Sequence, residues 1–187
     1  MKAGPQPSEA EAGPWMGRAE LAVLERLLAR GDAVLEFGAG GSTLWLAERV
    51  REVHSVEHDP AWAEKIRAAA PPNVTLHLRL PAFPSPAGTP AAPGQYADYT
   101  RAPEVLGRVF DACLVDGRAR IECAVAAARW LKPDGWLFFH DWFPRPRYTS
   151  RLGELLPFYQ LCEERCARGA GQTLAVFRRL PDGDPPA

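Results

Sequence analysis

The amino-acid sequence predicts an α/β fold in which helices cover both faces of a mostly parallel β-sheet. Short apolar runs of strand length alternate with segments of helical periodicity along most of the 187 residues, which is typical of βαβ units. Residues 110–115 are almost entirely apolar, as expected for a parallel strand that is buried on both faces. Residues 158–162 and 173–177 form two late strands without a helix between them, so we expect one of them to run antiparallel.

The other elements follow from apolar spacing and from residues that begin or end helices. Leucines share one helical face in residues 17–30, and Asp59-Pro60 begins a helix that Pro71-Pro72 ends. We predict helices over 17–30, 43–50, 60–70, 119–131 and 147–156, and strands over 33–37, 53–56, 74–78, 110–115, 136–139, 158–162 and 173–177. These elements form one domain, 17–180, between a disordered tail at 1–16 and a short tail at 181–187.

Residues 80–103 contain six prolines and show no apolar periodicity, so we predict a long loop there. Within a compact domain, a structureless loop of this length is usually functional or disordered. The sequence leaves both alternatives open: a lid over the substrate, or a disordered insertion.

Composition excludes several functional classes. The chain has 22 basic and 23 acidic residues and a net charge of −1, so we expect no nucleic-acid partner. It has no apolar run of about 18 residues, so we expect no membrane partner. The N-terminus lacks the apolar core of a secretory signal, and the four cysteines form no CxxC pair. These features predict reduced thiols and a cytoplasmic protein.

The strongest chemical signal is the glycine-rich junction after the first strand. Gly38-Ala39-Gly40-Gly41 lets a ligand approach the backbone, and Ser42 is a good N-cap for the next helix. A dinucleotide site would need GxGxxG, but Thr43 stands at the third glycine position. Glu36 before the glycines disfavours a diphosphate, while Glu57, 21 residues later, suits ribose hydroxyls. S-adenosylmethionine combines a ribose with a sulfonium and carries no phosphate.

The motifs of the chain resemble those of class I S-adenosylmethionine-dependent methyltransferases. VLEFGAGGST is similar to their first motif, HSVEHDPAW to the acidic second motif, FDACLVDGR to the fourth, and LKPDGWLFFHD to the fifth strand with its preceding turn. The run VDGRARIECA resembles a subgroup of small bacterial methyltransferase-like proteins. The resemblance implies a Rossmann-like three-layer sandwich with seven strands in the order 3-2-1-4-5-7-6, in which strand 7 is antiparallel.

The resemblance also implies a cofactor site, position by position. Gly38 and Gly40 would face the methionine portion, and Glu36 would act near its amino group, directly or through water. Glu57 would hold the ribose hydroxyls and His58 would lie against the adenine. The predicted cofactor-binding residues are Glu36, Gly38, Ala39, Gly40, Ser42, Thr43, Glu57, His58 and Asp116.

Three candidate catalytic residues lie where strands 4 and 5 end, at the edge where open α/β sheets bind their ligands. They are Asp116, His140 and Asp141. The two aspartates could hold Mg²⁺, since metal-dependent catechol-type O-methyltransferases place an aspartate after strand 4 and Asp-Asn after strand 5. In this chain Trp142 takes the position of that asparagine. His140 is the alternative general base, because its pKa lies near working pH.

The substrate prediction depends on cationic and aromatic residues in the neighbouring loops. Arg118, Arg145 and Tyr148 are the candidate substrate-binding residues, and arginine suits carboxylate or phosphate groups. We predict methylation of a small molecule at oxygen, with an acidic or phosphorylated substrate as the hypothesis, by a protein for which a homodimer is the candidate assembly. Two alternatives remain open: a non-catalytic module that binds S-adenosylmethionine or a partner, and a nucleotide-dependent Rossmann oxidoreductase.

Overall fold

The computed structural model describes residues 13–84, 89–143, 145–166 and 173–181. Most of the two predicted tails, 1–12 and 182–187, and part of the predicted loop, 85–88, lie outside the described residues. Within the described ranges, no helix has the length and apolar character that crossing a membrane requires.

A seven-stranded sheet forms the centre of the molecule. The strands are β1 (Ala33–Phe37), β2 (Glu52–Glu57), β3 (Val74–Leu78), β4 (Phe110–Val115), β5 (Leu131–His140), β6 (Tyr159–Cys166) and β7 (Thr173–Arg179). Their order is β3-β2-β1-β4-β5-β7-β6, which confirms the predicted fold class. Strands β1 to β5 pair in parallel, and β7 runs antiparallel to both of its neighbours.

Helices cover both faces of the sheet because alternate residues of each strand point to opposite sides. The α-helices are α1 (Arg18–Leu27), α2 (Gly41–Ala47), α3 (Pro60–Ala69), α4 (Ala97–Thr100), α5 (Ala102–Leu106), α6 (Arg120–Ala127) and α7 (Pro146–Thr149). On β1, Val34 belongs to the apolar cluster beneath α1 and α2, whereas Leu35 belongs to the cluster beneath α6.

The predicted turn at 132–135 lies inside β5, which begins at Leu131 rather than at residue 136. The pairing of β4 with β5 shifts register between Phe110 and Ala112, so residues 132–135 form an irregularity within β5. A side-chain contact to β4 stabilises this irregular stretch, since Lys132 Nζ donates a hydrogen bond to Asp111 Oδ1 at 2.5 Å. Two predicted helices are also divided, because 3₁₀ turns occupy Ala128–Trp130 and Leu152–Glu154.

The last described residues of the proline-rich segment 80–103 are helical, whereas the sequence predicted a loop there. Two short helices, α4 and α5, begin at residues 97 and 102. Tyr96 and Tyr99 are buried against the apolar cluster beneath α6, and their rings lie 6.0 Å apart. Aromatic burial therefore anchors a stretch that has too few apolar residues to show a helical period.

Candidate active site

A cavity of about 320 Å³ opens at the carboxyl ends of β1, β2 and β4. It lies between β1 and β4, where the strand order of the sheet reverses, and open α/β sheets bind ligands at such points. We call it the glycine-loop cavity. Its lining residues are Trp15, Gly38, Ala39, Gly40, Gly41, Ser42, Glu57, His58, Trp62, Asp116, Gly117, Arg118 and Arg120.

The glycine loop makes two close backbone contacts that exclude side chains. Gly38 has a φ of +99°, and a Cβ added to it would lie 2.7 Å from the Cα of Gly117 in the loop after β4. A Cβ on Gly117 would lie 2.1 Å from the hydroxyl oxygen of Tyr99. Three segments that are distant in sequence therefore meet at one wall of the cavity.

The residues before α1 lie over the other side of the glycine loop. A Cβ on Gly41 would lie 2.1 Å from the carbonyl oxygen of Gly13. Trp15 lines the cavity, and Met16 is buried in the cluster with Leu24 of α1. The packed region therefore includes residues 13–16, which the sequence placed in the N-terminal tail.

Glu36 is completely buried beneath the first turn of α2 rather than beside the cavity. Alternation along β1 points it to the α2 face, where its carboxylate accepts hydrogen bonds from the hydroxyls of Ser42 (2.5 Å), Thr43 (2.5 Å) and Ser55 (2.6 Å). Burial raises the pKa of Glu36 to about 7, although the three hydroxyl donors oppose that rise. Glu36 therefore reaches the cavity through two neighbours: Ser42, which lines it, and Thr43, whose Oγ1 accepts a hydrogen bond from the N–H of the lining residue Gly40.

Glu57, at the end of β2, does line the cavity and is only 3% exposed. Its carboxylate accepts three backbone N–H groups: Oε2 from Ala39 at 3.0 Å, and Oε1 from His58 at 2.7 Å and Asp59 at 2.8 Å. Each carboxylate oxygen can accept about two hydrogen bonds, so Oε2 retains capacity for a hydroxyl of a ligand. Glu57 therefore connects the glycine loop to the start of α3.

Trp62 closes the cavity beyond His58 and was absent from the sequence-predicted site. Its indole Nε1–H donates to the carbonyl oxygen of Ala39 at 2.6 Å, and the ring packs with Leu76 and Ile66. The available signal was its place in the first turn of the helix that begins at Asp59-Pro60. Trp15, Gly41, Gly117 and Arg120 also line the cavity outside the predicted set. Gly41 belongs to the first of the motifs that carry the family resemblance and Gly117 to the fourth, while Arg120 belongs to the run VDGRARIECA.

The three predicted catalytic residues meet at the ends of β4 and β5. His140 Nδ1 lies 2.8 Å from Asp116 Oδ1, and the two residues contact a common guanidinium, that of Arg120. Burial alone would lower the pKa of His140, but the hydrogen bond to Asp116 and the nearby carboxylates outweigh it and raise that pKa. Asp116 lines the cavity, whereas His140 is 4% exposed and lies behind it.

The donor atoms of Asp116, His140 and Asp141 lie within 4.8 Å of one another, which is close enough for a shared metal ion. However, Arg120 Nη2 lies 3.1 Å from Asp116 Oδ1 and 3.4 Å from Asp141 Oδ2. Trp142, at the position expected of a further ligand, is buried and packs edge-on against Phe139. A guanidinium therefore holds the position between the two carboxylates, and the residues do not fit the expected Mg²⁺.

A second cavity, of about 650 Å³, adjoins the first, and we call it the arginine cavity. It contains all three predicted substrate-binding residues, Arg118, Arg145 and Tyr148. The two cavities share Gly117, Arg118 and Arg120. The charged residues of the lining are five arginines and one acid: Arg118, Arg120, Arg145, Arg147, Arg151 and Glu122.

The arginines of this cavity differ in how far their charges are neutralised. Arg151 pairs with Glu122 and Glu154, and Arg145 pairs with Asp141 at 2.9 Å. Arg118 instead donates to two neutral oxygens, the Tyr96 hydroxyl at 3.2 Å and the Thr89 carbonyl at 2.6 Å.

Arg147 lies with its guanidinium carbon 4.8 Å from the centre of the Tyr148 ring. Within the described parts of the chain, neither Arg118 nor Arg147 has a carboxylate at ion-pair distance.

Comparison with known proteins supports the class of the site. The sequence of residues 35–142 matches the model of a family described as a methyltransferase domain. A methyltransferase-like protein from Silicibacter pomeroyi shares 30% identity with the chain, covers 92% of it and 91% of its own length, and has a TM-score of 0.67. No curated protein has a sequence that matches this chain.

Two solved complexes with S-adenosylhomocysteine share the fold at lower identity. A putative methyltransferase from Streptococcus mutans is 11% identical, covers 88% of this chain and 99% of its own, and has a TM-score of 0.62. The N-methyltransferase NodS from Bradyrhizobium japonicum is 17% identical, covers 95% of this chain and 93% of its own, and has a TM-score of 0.60. From the family match, the 30% identical relative and the sheet order, we conclude that the chain belongs to the class I S-adenosylmethionine-dependent methyltransferases.

Proposed function

We propose that this protein transfers a methyl group from S-adenosylmethionine to an oxygen atom of a small anionic molecule. One observation carries the proposal: the glycine-loop cavity and the arginine cavity meet at Gly117, Arg118 and Arg120, beside Asp116. A cofactor in the first cavity and a substrate in the second would adjoin at this wall. Methyl transfer needs that arrangement, because the enzyme contributes mainly the in-line positioning of two molecules.

In the glycine-loop cavity, backbone and carboxylate groups suit the parts of the cofactor. Gly38, Ala39 and Gly40 leave room for the methionine portion, with the hydroxyl of Ser42 at the start of α2. The free capacity of Glu57 Oε2 suits a ribose hydroxyl, and His58 and Trp62 offer ring faces for the adenine. Thr43 and Glu36 support the loop from beneath, since Thr43 Oγ1 accepts from the Gly40 N–H at 2.9 Å.

Asp116 is the proposed proton acceptor. When a hydroxyl oxygen attacks the methyl carbon, a C–O bond forms, the C–S bond of the sulfonium breaks, and the hydroxyl proton must leave. Asp116 is the carboxylate that lines the cavity at the boundary, and His140 donates to its other side. His140 and Asp141 therefore act by holding Asp116 and the loop, and Asp116 alone faces the reacting atoms.

Among the described residues, no carboxylate lies at ion-pair distance from Arg118 or Arg147, and this supports an anionic substrate. Arg118 is half-buried, lies at the boundary between the two cavities and pairs only with neutral groups, so it retains a charge that a carboxylate or phosphate can neutralise. Arg147 is an exposed residue of α7 beside Tyr148 and adds a second positive charge to the lining of the arginine cavity. We propose that these two arginines, with Arg145 and Tyr148, orient the substrate.

Calorimetric titration of the protein with S-adenosylhomocysteine and, separately, with NAD tests the cofactor assignment. We expect binding of the first and none of the second; the reverse result would restore the oxidoreductase alternative. A screen of hydroxylated carboxylates and phosphates as methyl acceptors tests the proposed substrate class. Cofactor binding without turnover of any acceptor would favour a non-catalytic binding module. The homodimer and the cytoplasmic location stay predictions, which sedimentation and cell fractionation test.

A further inference from the structure

We propose that the guanidinium of Arg120 is the resident cation of the Asp116–His140–Asp141 cluster, so that this site works without a divalent metal ion. The proposal deepens the methyltransferase proposal and rests on it for the role of the cluster in methyl transfer. The occupancy of the site, however, can be measured without substrate or turnover. It makes Arg120 a positioning residue, because it acts on a substrate through the carboxylates that it holds.

Two backbone carbonyls fix the guanidinium at this place. Arg120 Nε donates to the carbonyl oxygen of Gly117 at 2.9 Å, and Nη1 donates to that of His140 at 2.6 Å. The first carbonyl belongs to the loop after β4 and the second to the end of β5, so Arg120 joins the two strand ends. Its side chain is only 11% exposed. A flexible surface arginine would show neither the two anchors nor this burial.

The remaining nitrogen, Nη2, faces both carboxylates, at 3.1 Å from Asp116 and 3.4 Å from Asp141. Each of these two oxygens, Asp116 Oδ1 and Asp141 Oδ2, has a second donor as well, since His140 Nδ1 lies 2.8 Å from the first and Arg145 Nη2 lies 2.9 Å from the second. A metal ion bound by these oxygens would have to displace the donors.

The charges of the cluster balance without a metal. Asp116 and Asp141 bring two negative charges, and Arg120 and Arg145 bring two positive charges. The next group is Glu20 of α1, whose Oε1 lies 3.8 Å from His140 Nε2 and has no hydrogen-bond partner in the described structure. Both Glu20 and His140 are buried, and they form a further acid–base pair. A divalent ion added to this cluster would leave an excess of buried positive charge, which is unfavourable.

The backbone supports the same arrangement. Asp141 has a φ of +58°, a left-handed conformation that non-glycine residues adopt where the surroundings impose it. This conformation directs its carboxylate toward Arg120 and Arg145. Trp142, the next residue, turns into the core instead of supplying a polar ligand. The loop after β5 is therefore shaped around the arginines.

Mn²⁺ binding, followed by electron paramagnetic resonance on the full chain without substrate, tests the proposal. We assign Mn²⁺ binding to the cluster only if the additional substitution Asp116→Asn in the same protein abolishes that binding. We expect no such binding by the wild type below ~1 mM, and binding at least about tenfold tighter by Arg120→Ala, because two uncompensated carboxylates attract a divalent ion. Arg120→Lys, which keeps a positive charge, and Arg101→Ala, which removes an exposed arginine paired with Glu104, should behave like the wild type.

Three results would overturn the proposal. One is Asp116-dependent Mn²⁺ binding by the wild type itself. The second is an Arg120→Ala protein that is folded by circular dichroism and still binds no Mn²⁺. The third is a fall in the affinity of the wild type for S-adenosylhomocysteine when EDTA replaces Mg²⁺. This measurement uses the wild type alone, so it tests the proposal even if Arg120→Ala does not fold. Failure of methyl transfer with all of these results as expected would instead count against the proposed function.

Discussion

The glycine-loop cavity and the arginine cavity share a wall but differ in how the chain builds them. Most of the first comes from one continuous stretch, residues 38–62, with additions from the segment before α1 and the loop after β4. The second is assembled from residues 89–91, 117–122 and 145–151, which no single motif contains. Local sequence therefore specifies much of the glycine-loop cavity, while the arginine cavity depends on the fold that brings three loops together.

The electrostatics of the two cavities differ in the same way. The glycine-loop cavity is organised by buried acids that accept hydrogen bonds from the backbone and from hydroxyls, chiefly Glu57 and Glu36. The arginine cavity has an excess of guanidiniums. A cationic sulfonium suits the first environment and an anionic substrate suits the second, so each cavity is complementary to one of two reactants of opposite charge.

Replacing Gly38 by alanine should produce the largest effect, since it breaks the contact on which both cavities depend. Alanine at a φ of +99°, with its Cβ 2.7 Å from Gly117, should lower the free energy of unfolding by about 4 kcal/mol or prevent folding. Urea denaturation measures the change. Gly31→Ala, where a Cβ meets nothing within 4 Å, is the control, with an expected change within about 0.5 kcal/mol. Equal losses for the two variants would contradict the close approach of Gly38 to Gly117.

Glu36→Gln tests the buried acid beneath the glycine loop through pH. Burial raises the folded-state pKa of Glu36 from 4.5 to about 7, so its contribution to stability is complete below pH 4.5 and is lost as pH rises through 7. Relative to Glu36→Gln, the wild type should lose on the order of 3 kcal/mol between pH 4.5 and pH 8. Chemical denaturation at several pH values measures this difference. Parallel pH curves for wild type and variant would show that Glu36 does not titrate in this range, and Glu64→Gln on the surface is the control.

Glu57→Ala should weaken the cofactor site without affecting the arginine cavity. The variant loses the acceptor of three backbone N–H groups and the oxygen available to a ribose, which should cost about 2 kcal/mol, or about a 30-fold rise in the Kd for S-adenosylhomocysteine. Calorimetric titration gives the Kd. Glu64→Ala, an exposed acid of α3, should bind as the wild type does. An unchanged Kd for Glu57→Ala would remove Glu57 from the cofactor site.

Arg118→Ala should have the smallest effect, and it should change substrate binding far more than cofactor binding, although Arg118 lines both cavities. Removing a guanidinium that pairs only with neutral oxygens should raise the KM of an anionic substrate about tenfold, while the Kd for S-adenosylhomocysteine changes by less than about twofold. Steady-state kinetics and calorimetry give the two quantities. If both change equally, Arg118 serves the cofactor site instead. Arg101→Ala, at an exposed pair, is the matched control.

Residues 36–57 show how far sequence-based inference reaches. Short runs of strand length, a glycine turn and acids 21 residues apart predicted the strands, the turn and the ligand class, because each signal is local. The structure then separated the two acids. Glu57 lies at the strand end and lines the cavity, whereas Glu36 points into the sheet face beneath α2. The sequence pattern alone did not show how the pleat of β1 would orient that residue.

The proline-rich segment and the metal prediction show where that inference ends. Tyr99 is buried beneath Gly117, a contact across 18 residues that no local pattern encodes. Asp116 and Asp141 were correctly expected to converge, since parallel strand ends share an edge, but Arg120 between them was not predicted. Its position depends on two carbonyls from different loops, and only the folded chain brings these together.

By itself the sequence determined the class of fold and the stretch of chain that forms the glycine loop, and the family resemblance of its motifs implied the strand order. The first two follow from periodicity and turn residues, which act over a few residues and are independent of distant packing. Only the tertiary structure decided which acid faces the cavity, which arginines of the arginine cavity have no carboxylate among the described residues at ion-pair distance, and which cation lies between Asp116 and Asp141. Those outcomes depend on burial and on contacts between distant segments, and the free energy of such contacts exists only in the folded chain.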